Sequence, residues 1–189
     1  MTKPAFIDTD FLNHLVESRW PDDLFGLIVR FFEALDVSPQ MHPFVHKNEA
    51  IKYPTPIVVK LFAAEKVVVP ELDIILNKYK YGARYYETLV RNIYKDFMGA
   101  EYPCKDVFSE WKDRCSLGEV HTAVMCVLLG FTLFYSDDKD AKMFLSKVVR
   151  KQTGWQICIK NRNDCCIFLS SKDCRSLNHT ELNSLGHSR

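Results

Sequence analysis

Residues 131–138 read Phe-Thr-Leu-Phe-Tyr-Ser-Asp-Asp, an apolar run that stops on two carboxylates. Phe131 to Tyr135 is too short for an ordinary helix and lacks polar alternation, so it reads as a central strand buried on both faces. Just before it, Val120, Ala123, Val124, Val127 and Leu128 recur at i, i+3, i+4, i+7 and i+8, the strongest helical periodicity in the chain. Gly130 closes that helix as a C-cap. Just after it, Ala141, Phe144, Leu145, Val148 and Val149 repeat the helical spacing, and Trp155 to Ile159 reads as a further strand. Helix, buried strand, helix, strand is the rhythm of an α/β fold: a central parallel sheet flanked by helices.

Working outward, Lys3 to Ile7 is a buried strand closed by Asp8, and Phe11 to Glu17 a first helix. A second helix starts at Pro21, has Asp22 and Asp23 in its first turn, and turns Leu24, Leu27, Ile28, Phe31, Phe32 and Leu35 to the core. Val37 to Lys52 begins extended around Pro39 and Pro43, then becomes a short helix through Val45 and Glu49. Another helix follows Pro56, then a strand at Val67 to Val69. Glu71 to Phe97 is helical with a break at Gly82. Residues 98–115 form a loop-rich connection with a partial helix around Phe108 to Trp111. The stretch 171–189 is polar and aperiodic, so the expected organisation is one domain over 1–170 and a C-terminal tail.

Composition narrows the function classes. With 189 residues, 47% hydrophobic and a formal net charge of +1, the chain is neither disordered nor a basic nucleic-acid coat. No apolar run reaches the roughly 18 residues that span a bilayer, and the opening MTKPAFIDTD lacks a signal-peptide pattern. The expectation is a cytoplasmic protein with no membrane partner. The seven cysteines are odd in number and include no C-x-x-C pair, so they read as reduced, small hydrophobes. A zinc site from Cys104, Cys115 or Cys165 with a histidine is the minor alternative.

Three acidic positions stand at strand ends or helix starts: Asp8 in FIDTD, Glu119 in SLGE, and Asp137 with Asp138 in SDDKD. In a parallel sheet, ligands bind beyond the carboxyl ends of the strands, which places Asp8 and Asp137 at one edge. Two carboxylates about 4 Å apart repel by roughly 4 kcal/mol at an effective dielectric near 20. A divalent cation or a raised pKa removes that cost. Oxygen-only donors favour Mg²⁺ or Mn²⁺, and such a cluster suits hydrolysis of a phosphodiester. Each position also has a local explanation. Ser116 and Glu119 fit a capping box, Asp137 or Asp138 an N-cap, and Asp8 a turn.

Asp8-Thr9 after the first strand, Leu117-Gly118-Glu119 opening an apolar helix, and Ser136-Asp137-Asp138-Lys139-x-Ala141 after the last core strand resemble the PIN-domain ribonucleases. The resemblance covers about residues 3–160. It implies a parallel sheet with flanking helices, Mg²⁺ or Mn²⁺ held by about four carboxylates, and RNA as substrate. Many such proteins are toxins of bacterial toxin–antitoxin pairs, which implies an antitoxin partner. Carried over by position, Asp8, Glu119 and Asp137 are the catalytic, metal-holding residues. Glu49 in MHPFVHKNEA is the fourth carboxylate, Asp138 or Asp140 can stand in for Asp137, and Thr9 and Ser136 orient the carboxylates.

Two other readings stay open. Asp8-Thr9-Asp10 and LFYSDD also fit haloacid-dehalogenase-like phosphatases, although Phe11 is larger than usual there and Glu119 has no role. A non-catalytic α/β scaffold that binds a protein is the third. His42 and His46 have a zinc-like interval, but Pro43 lies between them, so they read as surface or core-capping residues. No Walker loop exists. For RNA, Lys139, Lys142 and Arg150, with Lys147 and Lys151, lie opposite the apolar stripe of their helix. Farther back, residues 78–95 interleave lysines and arginines with tyrosines, which suits base stacking or a core or homodimer edge.

Overall fold

The computed structural model describes residues 2–17, 24–78, 82–99, 108, 116–161 and 164. Most of the expected loop-rich connection (100–107 and 109–115), the start of the second helix at Pro21, residues 79–81 and the polar tail lie outside them. So do Cys104, Cys115, Cys165, Cys166 and Cys174.

The described strands are β1 (Lys3–Ile7), β2 (Val37–Gln40), β3 (Leu133–Tyr135) and β4 (Cys158–Lys160), forming one sheet ordered β2-β1-β3-β4. Every pairing is parallel: Phe6 lies opposite Gln40 on one side and Phe134 on the other, and Phe134 opposite Ile159. Helices α1 (Thr9–Glu17), α2 (Leu24–Ala34), α3 (Pro43–Val45), α4 (Pro56–Ala63), α5 (Leu72–Asn77), α6 (Gly82–Met98), α7 (Leu117–Leu129) and α8 (Ser146–Thr153) connect and cover it. Two π-helical turns interrupt them, His46–Ala50 directly after α3 and Ala141–Leu145 directly before α8.

The period-2 alternation of the strands divides the core. Phe6 and Phe134 pack with Leu89, Val90, Val124 and Val149 from α6, α7 and α8. Ala5, Ile7 and Tyr135 pack on the other face with Phe11, Ile28, Phe32 and Leu61 from α1, α2 and α4. The α/β expectation is met, with helices on both faces. No helix among the described residues is long and apolar enough to cross a membrane.

Strand edges differ from the sequence reading for local reasons. Gly130 adopts φ 72°, and Phe131 N–H turns back to Cys126 O at 2.8 Å, which delays β3 to Leu133. Gly154 at φ 74° ends α8, and Trp155 Nε1 donates to Phe131 O at 2.9 Å rather than joining the sheet, so β4 starts at Cys158. The expected strand Val67–Val69 contributes a single parallel bridge, Val68 to Gln40. Cys126 is buried, which pushes its thiol pKa up and keeps it an inert hydrophobe as expected, whereas Cys158 is exposed.

Candidate functional site

The chain leaves β1 for β2 on one side and later returns to β3 on the other, so the topological switch lies between β1 and β3. That is where an open parallel sheet offers a ligand crevice, beyond the carboxyl ends of the strands. The ladder runs to this edge: Asp8 N–H donates to Tyr135 O at 2.9 Å and Ser136 N–H to Lys160 O at 3.0 Å. A cavity of about 540 Å³ opens there, walled by Asp8 and Asp10, Glu49, Gly118 and Glu119, and Asp138.

Asp8 is 2% exposed. Its Oδ1 accepts from Thr9 N–H at 2.8 Å and its Oδ2 from Ser136 Oγ at 3.3 Å. Ser136 Oγ in turn accepts from Asp138 N–H at 3.2 Å, so one hydroxyl ties the end of β1 to the doublet after β3. Burial, then Asp10 and Asp138, push the Asp8 carboxyl up to about 7 against the pull of those hydrogen bonds.

Glu49 stands on the first π-helical turn, partly buried. Burial first, then the charge of Asp8, raise it to about 9; the facing Thr9 hydroxyl opposes the rise, and Asp10 and contact with the Asp8 carboxyl add to it. Glu119 lies in the first turn of α7 and is pushed well up by burial, then by Asp8, Glu49 and Asp138. The charge of Asp8 thus reaches both Glu49 and Glu119, and that of Asp138 reaches Asp8 and Glu119, across one cavity.

Several expectations change here. Asp138 lines the cavity and Asp137 does not: Asp137 Oδ2 lies 2.9 Å from His14 Nδ1, with its side chain 6% exposed. Asp138 also keeps the N-cap role, its Oδ1 accepting from Ala141 N–H at 2.8 Å. Asp140 is exposed and outside the lining. The capping box is not formed, because Ser116 sits at φ 59° and its side chain makes no cap bond. His42 and His46 do not pair. His42 is wholly buried and caps α3, whereas His46 rests against the Phe62 ring at 4.7 Å. Burial lowers both histidines, keeps His42 neutral and raises the buried Tyr86 hydroxyl.

Of the RNA-binding candidates, Lys139 and Arg150 are exposed, and Lys142 Nζ is bound to Asp164 Oδ2 at 2.6 Å. Sequence reasoning missed the lining residues Asn13 and Tyr53, and quoted Gly118 within its motif without giving it a role. Gly118 carries the most geometry: a Cβ there would meet Glu49 Oε1 at 2.7 Å. A glycine two residues from Ser116 at a helix start was the only signal.

The donor set fits a hard divalent ion in chemistry, being all carboxylate and hydroxyl oxygen. Thr9 Oγ1 adds a buried hydroxyl with no hydrogen-bond partner, facing the same carboxylates. Glu49 and Asp8 lie within side-chain hydrogen-bonding reach of each other, and among the described residues no three His, Cys, Asp or Glu side chains already form a metal-holding group. Set beside known families, curated proteins and solved structures, the chain matches none of them.

Proposed function

We propose that this chain is a PIN-like endoribonuclease that depends on Mg²⁺ or Mn²⁺. The observation that carries the reading is the meeting of Asp8, Glu49, Glu119 and Asp138, from four separate segments, in one cavity at the β1/β3 switch. Those four would hold the ion. When bound, it would supply Lewis acidity at a phosphate oxygen and a more acidic water.

The rest falls to the chain's own groups. Ser136 holds Asp8 and the Asp138 backbone in register through its hydroxyl. The Thr9 hydroxyl, buried and unpartnered, is available to orient a water or a phosphate oxygen. Glu49 and Glu119 carry raised pKa values and hold their protons in the metal-free site, so both would have to release them to serve as ligands. Exposed Lys139, next to Asp138 in the chain, and exposed Arg150 offer charge to a phosphate backbone. The toxin role and an antitoxin partner follow from the family resemblance, and the adjacent reading frame is the place to seek that partner.

One observation favours a second reading. Asp10 lines the same cavity as Asp8, as a D-x-D phosphatase requires. Purified protein with Mn²⁺ tests both against RNA and a phosphomonoester. The nuclease reading expects Glu119→Gln to abolish RNA cleavage and Asp10→Asn to leave most of it. A phosphatase would reverse the pattern, with Asp10→Asn costing about 10²–10⁴-fold as a lost general acid. Turnover of neither substrate would favour the protein-binding scaffold.

A further inference from the structure

His42, Tyr86 and His121 are wholly buried and form a hydrogen-bonded chain that the proposed chemistry does not use. His42 Nδ1 accepts the Phe44 backbone N–H at 2.9 Å. An amide nitrogen only donates, so the ring proton of neutral His42 sits on Nε2. Nε2 lies 2.9 Å from the Tyr86 hydroxyl and donates to it, and Tyr86 donates its own proton to His121 Nδ1. One backbone amide thus fixes the direction of the whole chain, which joins the N-cap of α3 to α6 and α7.

The facing surfaces of α3 and α7 make two more contacts. The Phe44 ring stacks on His121, centroids 4.2 Å apart and planes at 19°. Three residues before His121, on the same face of α7, Gly118 lies against Glu49 Oε1. Phe44 and Glu49 are five residues apart, which a regular α-helix would rotate by roughly 140° from each other. The wider π-helical turn His46–Ala50 reduces that rotation and turns both toward α7.

We infer that the His42–Tyr86–His121 chain is a positioning clamp. It holds α3 at the spacing from α7 that sets the Glu49 carboxylate against Gly118, beside Glu119. The clamp stands on geometry alone; only its consequence for metal affinity rests on the proposed function.

A melting-temperature cycle tests the clamp without metal. Tyr86→Phe removes the shared hydroxyl and keeps the ring. Gly118→Val drives a wedge against Glu49 Oε1 and Val45 Cγ2, the latter 3.2 Å from a Cβ at that position. If the clamp sets the spacing, loosening it makes the wedge cheaper, and the double variant loses less melting temperature than the two singles combined. Additive losses overturn the clamp. Calorimetry adds the functional arm: Tyr86→Phe should bind Mn²⁺ about tenfold more weakly. Val149→Ala, a core truncation on α8, should destabilise without that loss. Unchanged Mn²⁺ affinity in Tyr86→Phe also overturns the proposal. If the wild type binds no Mn²⁺, the nuclease reading fails and the melting cycle alone decides the clamp. Should Tyr86→Phe not fold, His121→Phe, which removes the acceptor of the Tyr86 proton and keeps an aromatic ring against Phe44, replaces it in both arms.

Discussion

Glu49 Oε1 occupies the space where a side chain on Gly118 would begin, 2.7 Å from the position of its Cβ. Gly118→Ala therefore sets two effects against each other. Alanine in a helix gains roughly 1 kcal/mol over glycine, and the atom it displaces is the free end of a flexible side chain. Thermal melting should change by less than about 1 kcal/mol. The carboxylate must still move, so Mn²⁺-dependent RNA cleavage should fall about tenfold or more. Full cleavage by Gly118→Ala would show that the position of Glu49 is immaterial.

The raised carboxyls give the metal-free protein a distinctive pH dependence. Glu49 titrates near 9 when folded and near an ordinary carboxylate value when unfolded, and Glu119 is shifted the same way. Between those limits the folded state holds more protons, so stability falls as pH rises. His42 and His46, both lowered, act oppositely, and their contribution ends near the ordinary histidine value of 6.5. The window from about pH 7 to pH 9 therefore belongs to Glu49 and Glu119. Melting temperature should drop across it, and Glu49→Gln should flatten the drop. Calorimetry of Mn²⁺ binding at pH 7.5 in buffers of different ionisation enthalpy should register proton release. A melting temperature that stays level from pH 7 to 9 would mean these carboxyls are already ionised in the fold.

The doublet after β3 divides its work. Asp138→Asn should lower RNA cleavage at least about tenfold, while the amide oxygen can still cap Ala141. Asp137→Asn should leave cleavage nearly intact and show its cost in melting, because its partner is His14. Equal loss of cleavage in both variants would put the two carboxylates in one centre.

Arg150 and Lys139 should act on RNA through charge alone. Replacing both with Ala should shallow the salt dependence of binding by about 0.7 per lost phosphate contact on single strands. Melting should stay within about 0.5 kcal/mol. Lys142→Ala is a different experiment, since it also strips Asp164 of its partner. An unchanged salt slope in the double variant would leave the face merely solvated.

Sequence periodicity found β1, α7, β3 and the parallel sheet because these elements are buried on both faces, which leaves unbroken apolar runs or clear 3.6-residue spacing. Asp8 and Glu119 were legible for the same reason, standing where such runs end. Glu49 was harder to place, since a π-helical turn breaks the period on which a helical reading depends. Asp137 and Asp138 are neighbours with identical chemistry, and only the fold tells them apart, setting Asp137 against His14 and Asp138 on the cavity wall. The role of His42 was hidden by distance: its partner Tyr86 is 44 residues away and His121 a further 35 beyond.

The contact between Ser136 and Asp8 joins residues 128 apart in the chain. Asp8 leaves the ribosome long before Ser136 does, and its cavity stays unfinished until β3 has been made, threaded beside β1 and docked. Whatever chemistry the cavity performs, a product truncated before β3 would carry Asp8 without a site, so the cavity can act only once the sheet has closed around it.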